Sequence, residues 1–199
     1  VKYKLYQRVP GIVLGFHGCD ERTAEDVLGS GSVHLRASKN PHDWLGNGIY
    51  FWENDPRRAL EFAKEAMGNR KLTSGTITKP AVVGAVIDLG LCLNLLDRTG
   101  LQTVKEAYDM TKEIFEDLGQ PMPQNKGSDR GARHLDCAVI QVAHAICKGS
   151  RQPAFDTVRG AFWEGALLYE GAGMSEKNHV QIAVRNTDCI LGYFRPRTA

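Results

Sequence analysis

Three short segments carry residue types from which a binding or reaction site can be built. Phe16-His17-Gly18 ends a candidate strand, and Gly46-Asn47-Gly48-Ile49-Tyr50-Phe51 follows with His17 and Tyr50 33 positions apart. The third, His179-Val180-Gln181-Ile182-Ala183-Val184, lies near the C-terminus. An imidazole can hydrogen-bond a ligand hydroxyl, with its tautomer set by its neighbours. A glycine such as Gly18 lets a ligand approach the backbone closely because no Cβ stands in the way. The face of an aromatic ring such as Tyr50 attracts a cationic ring by roughly 0.5–2 kcal/mol. The Gln181 carbonyl can accept a hydrogen bond from a hydroxyl. It cannot ionise, so it offers about half the strength of a charge-assisted bond and no general base.

Carboxylates stand just ahead of the third segment: Glu164, Glu170 and Glu176. Glu164, in Phe162-Trp163-Glu164-Gly165, is the candidate acceptor base, because adjacent Trp and Phe rings would desolvate it and raise its pKa. The plainer reading is a solvated loop carboxylate. His34, His42, His134, His144 and His179 make no HxH or HExxH arrangement, and the five cysteines make no CxxC pair, so no metal is expected. There is no GxxxxGK[ST] motif, and Gly29-Ser30-Gly31 does not follow a strand as a dinucleotide fingerprint requires. Asp136 and Arg159 are charges among apolar residues, and a structural ion pair is their simplest use.

The elements that must position these residues alternate in character along the chain. Gly11 to Gly18 reads as a strand, with Leu14 and Phe16 on one face and Val13, Gly15 and His17 on the other. A short helix runs from Thr23 to its stop at Gly29, and residues 38–48 form a loop. Gly48 to Trp52 is apolar. Asn54 or Asp55 then caps a helix with Pro56 at its first position and Ala59, Leu60, Ala63, Ala66 and Met67 in one stripe. Ala81 to Leu89 reads as a buried strand. Two helices follow, one with Leu101, Val104, Tyr108, Thr111, Phe115 and Leu118 aligned, the other over about 132–147. Strand-like pieces return at 160–169, 179–185 and 190–194. Alternation sends Val180, Ile182 and Val184 to a core and leaves Gln181 facing a cleft. Strands, then helices, then strands indicate an α+β class.

The 199 residues suit one domain, and 42% hydrophobic with 24% charged residues excludes a disordered chain. The 25 Lys and Arg against 23 Asp and Glu leave +2, too little for a simple electrostatic argument for nucleic acid or membrane. A local group of Lys39, Arg57 and Arg58 could still bring phosphate near the site. No run approaches the roughly 18 apolar residues of a membrane span, and no secretory signal pattern opens the chain. Five cysteines without a framework read as buried thiols in a reducing, cytoplasmic setting.

The order and spacing of His17-Gly18 and Gly46 to Phe51 resemble the catalytic signature of the ADP-ribosyltransferase superfamily. The closer likeness is to its His-Tyr-Glu branch, which includes diphtheria toxin and the poly(ADP-ribose) polymerases. His179 to Val184, with Ile190-Leu191-Gly192-Tyr193-Phe194 after it, looks like the family strand that carries the catalytic Glu. The matching position here is Gln181. The likeness covers about a third of the chain, and residues 91–160 match nothing in it.

The resemblance implies an α+β fold of two small, split antiparallel sheets around an NAD+ cleft, as a single domain over residues 1–199 with a helical insertion at about 97–150. It implies mono-ADP-ribosyl transfer from NAD+ to a macromolecule, protein or nucleic acid, with release of nicotinamide. NAD+ enters as substrate, and His17, Tyr50 and Gln181 are the expected catalytic residues. His17, Gly18, Arg36, Tyr50 and Phe62 would hold the dinucleotide: Gly18 by its backbone on the carboxamide, Arg36 near the adenosine half, and Phe62 as a second aromatic face beside nicotinamide. Gln181 makes chain elongation improbable and leaves single transfer or NAD+ hydrolysis feasible. A catalytically inactive NAD+ or ADP-ribose-binding module is the reading from a different class. By analogy with stand-alone microbial relatives the role is that of a toxin, effector or defence protein, acting in the cytoplasm or delivered into that of a target cell.

Overall fold

The alternating residues after Gly11 form β1 (Ile12–Asp20), a strand inside the sheet rather than at its edge. The computed structural model describes residues 11–69, 72–73, 75–127, 131–150 and 152–197. The reading of the N-terminal start lies outside the described residues. Asp20 closes β1 and caps α1 (Glu21–Gly29): its Oδ1 accepts the Arg22 N–H at 3.1 Å. Its Oδ2 accepts the N–H groups of Lys79 and Thr78 and the Thr78 hydroxyl at 3.0, 2.6 and 2.8 Å. These donors, the Lys79 and Thr78 backbone foremost, hold the Asp20 carboxyl well below the usual carboxylate range.

After the loop at 38–48 the chain enters β2 (Ile49–Glu53), turns at Asn54 with φ of 53°, and starts α2 (Pro56–Gly68). Asp55 is the cap, accepting the Arg58 N–H at 2.8 Å. β3 (Pro80–Asp88) pairs with β1 along the whole strand. A three-residue strand, β4 (Cys92–Asn94), precedes two helices, α3 (Arg98–Asp117) and α4 (His134–Gly149). β5 (Thr157–Phe162), β6 (His179–Val184) and β7 (Ile190–Phe194) complete the fold. The strand expected at 160–169 stops at Phe162, because Gly165 adopts φ of 86° and Leu167, Leu168 and Tyr169 face solvent.

The result is a mixed α+β fold with one seven-stranded sheet, ordered β4-β5-β6-β2-β1-β3-β7 and antiparallel except at β4–β5. The expectation of two separate sheets is thereby corrected. A short seam joins them: β1 and β2 pair only at Gly15–Glu53 and Phe16–Trp52, extended by the Asn54 N–H donating to the Leu14 carbonyl at 2.9 Å.

Both faces of the sheet are covered. Phe51, Val83, Ile87, Ile182 and Val184 build the main core on one face, with Ala24 and Val27 of α1. On the other face α2 packs Ala59 against Phe16 and Trp52, while α4 packs Val139, Ile140 and Ala143 against Val158, Phe162 and Ala183. Two-sided burial explains why Ala81 to Leu89 is almost continuously apolar. Among the described residues no helix is long and apolar enough to cross a membrane.

Candidate active site

The three segments singled out in the sequence lie on neighbouring strands, β1, β2 and β6. The β1–β2 pairing ends at Phe16–Trp52, although β1 runs on to Asp20 and β2 begins at Ile49. Because the Leu14 carbonyl points at β2, the peptide groups of Phe16 and Gly18 point the same way, two and four residues on. Gly18 thus directs its backbone N–H and C=O to the side where the ladder has stopped.

His17 bridges this gap. Its Nδ1 lies 2.7 Å from the Tyr50 carbonyl oxygen. A carbonyl only accepts, so Nδ1 carries the proton and Nε2 of the neutral ring is an acceptor. Burial lowers the His17 pKa below 6.5, opposed by the Tyr50 hydrogen bond, so the neutral form is favoured. Nε2 makes no hydrogen bond among the described residues.

Tyr50 and Gln181 share a sheet face, since β2 and β6 set Trp52 opposite Gln181 and Tyr50 opposite Ala183. His17, one residue past Phe16, points to the opposite face, with its ring 5.9 Å from that of Phe51. The strands therefore bring the three residues to one place in the sheet without putting all three side chains on one face. The Tyr50 hydroxyl is already engaged: it donates to the Gly46 carbonyl at 2.6 Å and accepts the Leu45 N–H at 2.8 Å. That pair of bonds ties the 38–48 loop to β2. Burial raises the Tyr50 pKa well above 10, so the hydroxyl stays protonated. Gln181 is half-buried opposite Gly160 of β5, on the sheet face it shares with Tyr50 and Trp52.

The remaining candidates fall elsewhere. A Cβ on Gly18 would overlap the Ala59 carbonyl oxygen, so the glycine is also required by the close approach of α2. Arg36 is exposed and makes no hydrogen bond or ion pair among the described residues. Phe62 packs on Trp52, ring centroids 5.1 Å apart, and not on Tyr50. Glu164 is not desolvated by its neighbour, for Trp163 is 64% exposed. Instead both Glu164 oxygens accept from Arg58 Nη2, at 3.0 and 2.9 Å. Arg58 is buried by this pairing, which removes it from the basic group expected with Lys39 and Arg57. Asp136 and Arg159 do not pair with each other. Arg159 is clamped by Glu53 at 2.6 and 2.7 Å, and Asp136 bonds Arg133 and Asn125.

Family models, curated proteins and solved structures give no match to this chain.

A polar cluster beside Gln181 has no signature in the sequence. His179 is buried two residues before Gln181 on the same strand face, its Nδ1–H donating to the Lys177 carbonyl at 2.6 Å. Rings of Trp44, Trp52 and Phe162 surround it at 5.8–6.3 Å between centroids. Glu164 lies 3.9 Å from its Nδ1, and the Arg58 guanidinium sits 5.5 Å over Trp52. His179 Nε2, Trp52 Nε1 and Arg58 Nε and Nη1 are buried without a hydrogen bond. Arg58 and Glu164 are 106 residues apart, so local sequence carries no sign of their pairing. Among the described residues no group of three or more His, Cys, Asp or Glu is placed to hold a metal ion.

Proposed function

We propose that this chain transfers a single ADP-ribose unit from NAD+ to a macromolecular acceptor, on a scaffold of the ADP-ribosyltransferase kind. The observation that carries the reading is the meeting of β1, β2 and β6 where the sheet's ladder stops, with His17 fixed in one tautomer across the gap. A ligand at the end of that ladder would lie between the His17 side chain on one face and Tyr50 and Gln181 on the other, so all three could address the same molecule. The His17 Nε2 lone pair suits a ribose hydroxyl, the Gly18 peptide suits a carboxamide, and the Tyr50 ring suits a cationic pyridinium.

In the transfer, the bond from ribose C1′ to nicotinamide breaks with its electron pair leaving on nicotinamide. The acceptor nucleophile forms the new bond at C1′ and gives up its proton. Gln181 can stabilise the ribosyl cation as a hydrogen-bond acceptor but cannot receive that proton. Glu164, held by Arg58 on the same side of the sheet, is the carboxylate available for it. The same limit on Gln181 favours a second reading, hydrolysis of NAD+ with water as acceptor. Five free, buried thiols agree with action in a reducing compartment such as the cytoplasm.

Labelled NAD+ incubated with lysate, then separated into protein, RNA and DNA, tests the proposal. Label is expected in one fraction, and His17→Ala or Gln181→Ala is expected to reduce it about 100-fold, the usual scale for a lost transition-state hydrogen bond. Equal nicotinamide release without any acceptor would replace transfer by hydrolysis. Binding of NAD+ without nicotinamide release in any lysate would leave a binding module, and full labelling by both variants would remove these residues from the site.

A further inference from the structure

α3 packs on α4 and β4 rather than lying flat on the sheet. Between the two helices and the sheet is a cavity of about 330 Å³. That size is at the lower end of small-molecule sites, roughly 300–1,000 Å³. Leu101 and Val104 of α3 face Leu135, Val139 and Ile140 of α4 across it, so branched aliphatic side chains form its walls. Trp44 and Phe162 close the sheet side. The polar groups are cationic in balance: Lys105 and Arg133 against Asp136. Lys105 is exposed and forms no ion pair among the described residues. Arg133 lies 4.4 Å over Trp44 and 5.0 Å over Phe162, with Nη1 3.3 Å from Asp136 and a buried Nε lacking any hydrogen bond.

We propose that this cavity binds a small aliphatic anion, an unbranched apolar chain ending in a carboxylate. The lining of α3 runs from Leu101 to Tyr108, two turns or about 10 Å, which fits a short chain and is too brief for a docked helix. An aromatic ring finds few free faces. Trp44 is covered by Arg133 and stacked with His179 at 6.2 Å, and Phe162 lies against Arg133 and Trp44. A cationic ligand would meet Lys105 and Arg133, and a neutral chain would leave Lys105 without an ion-pair partner and the buried Arg133 Nε without an acceptor. The site is separate from the β1–β2 gap and does not depend on the reaction proposed there.

Calorimetric titration of the full chain with decanoate, and with decanol as an uncharged chain of equal length, tests the assignment. One saturable site for decanoate is expected, with decanol about tenfold weaker. Lys105→Glu should weaken decanoate about tenfold, the scale of a charge reversal at a partly exposed rim. Leu101→Trp, which fills the cavity from an exposed position, should abolish binding. Thermal melts should show both variants folded. Absence of saturable binding overturns the proposal, as does undiminished binding to Leu101→Trp. Decanol binding as tightly as decanoate overturns the anionic end, and naphthoate binding more tightly than decanoate overturns the aliphatic body.

Discussion

Individual side chains in this fold divide between those whose polar atoms are fully used and those left waiting. Asp20 belongs to the first kind, and His144 to the second. His144 is buried in α4 with neither ring nitrogen hydrogen-bonded, its ring 5.8 Å from Phe155. Burial, helped by the Arg185 charge, lowers its pKa to about 4. The folded state therefore binds fewer protons than the unfolded chain between pH 6.5 and 4, so stability falls as pH drops through that window. At pH 5 the loss relative to pH 7 is on the order of 2 kcal/mol, or about 5 °C in thermal midpoint. His144→Leu should melt with that acid shift removed. A melt at pH 7 and pH 5 checks it, and an unchanged acid shift in the variant would assign the sensitivity to other groups.

At the scale of elements, the helices and strands were legible where the signal was local. Asp55 with Pro56 announced α2, and alternation announced β1, because capping and periodicity are properties of adjacent residues. Pairing was not legible. Nothing local tells Glu53 that it will meet Arg159, or that β2 will join β1 for two residue pairs and then part from it. β4 was too short for any period, and the apolar run after Phe162 was exposed, so hydrophobicity there did not mean burial. The candidate site was visible as residue types in order, but not the Arg58–Glu164–His179 cluster beside it. At Gly18 the backbone of α2 comes close against β1. An alanine methyl there meets backbone that cannot rotate away, so Gly18→Ala should cost about 1–3 kcal/mol by forcing α2 off β1. Chemical denaturation measures it, and wild-type stability would show that α2 yields without penalty.

For the whole molecule, the two cores matter more than the +2 net charge. Covering both faces puts all five cysteines inside, and burial raises the thiols of Cys19, Cys92 and Cys189 to about 11. Thiolate is scarce and shielded, so the folded protein should react with a thiol reagent slowly and the denatured chain should yield five equivalents. Rapid modification of the native protein would mean that one core opens readily. The sheet that separates these cores is mechanically uneven. Long ladders stiffen the plate of β1, β3 and β7 and the plate of β4, β5, β6 and β2, while two rungs weld plate to plate. Among the described residues no other junction in the sheet has so few rungs, and the packing of the two faces spans it. A molecule that gripped both banks of that junction would act as an added rivet, and its arrival would be felt as stiffness across the protein rather than as displacement at the point of contact.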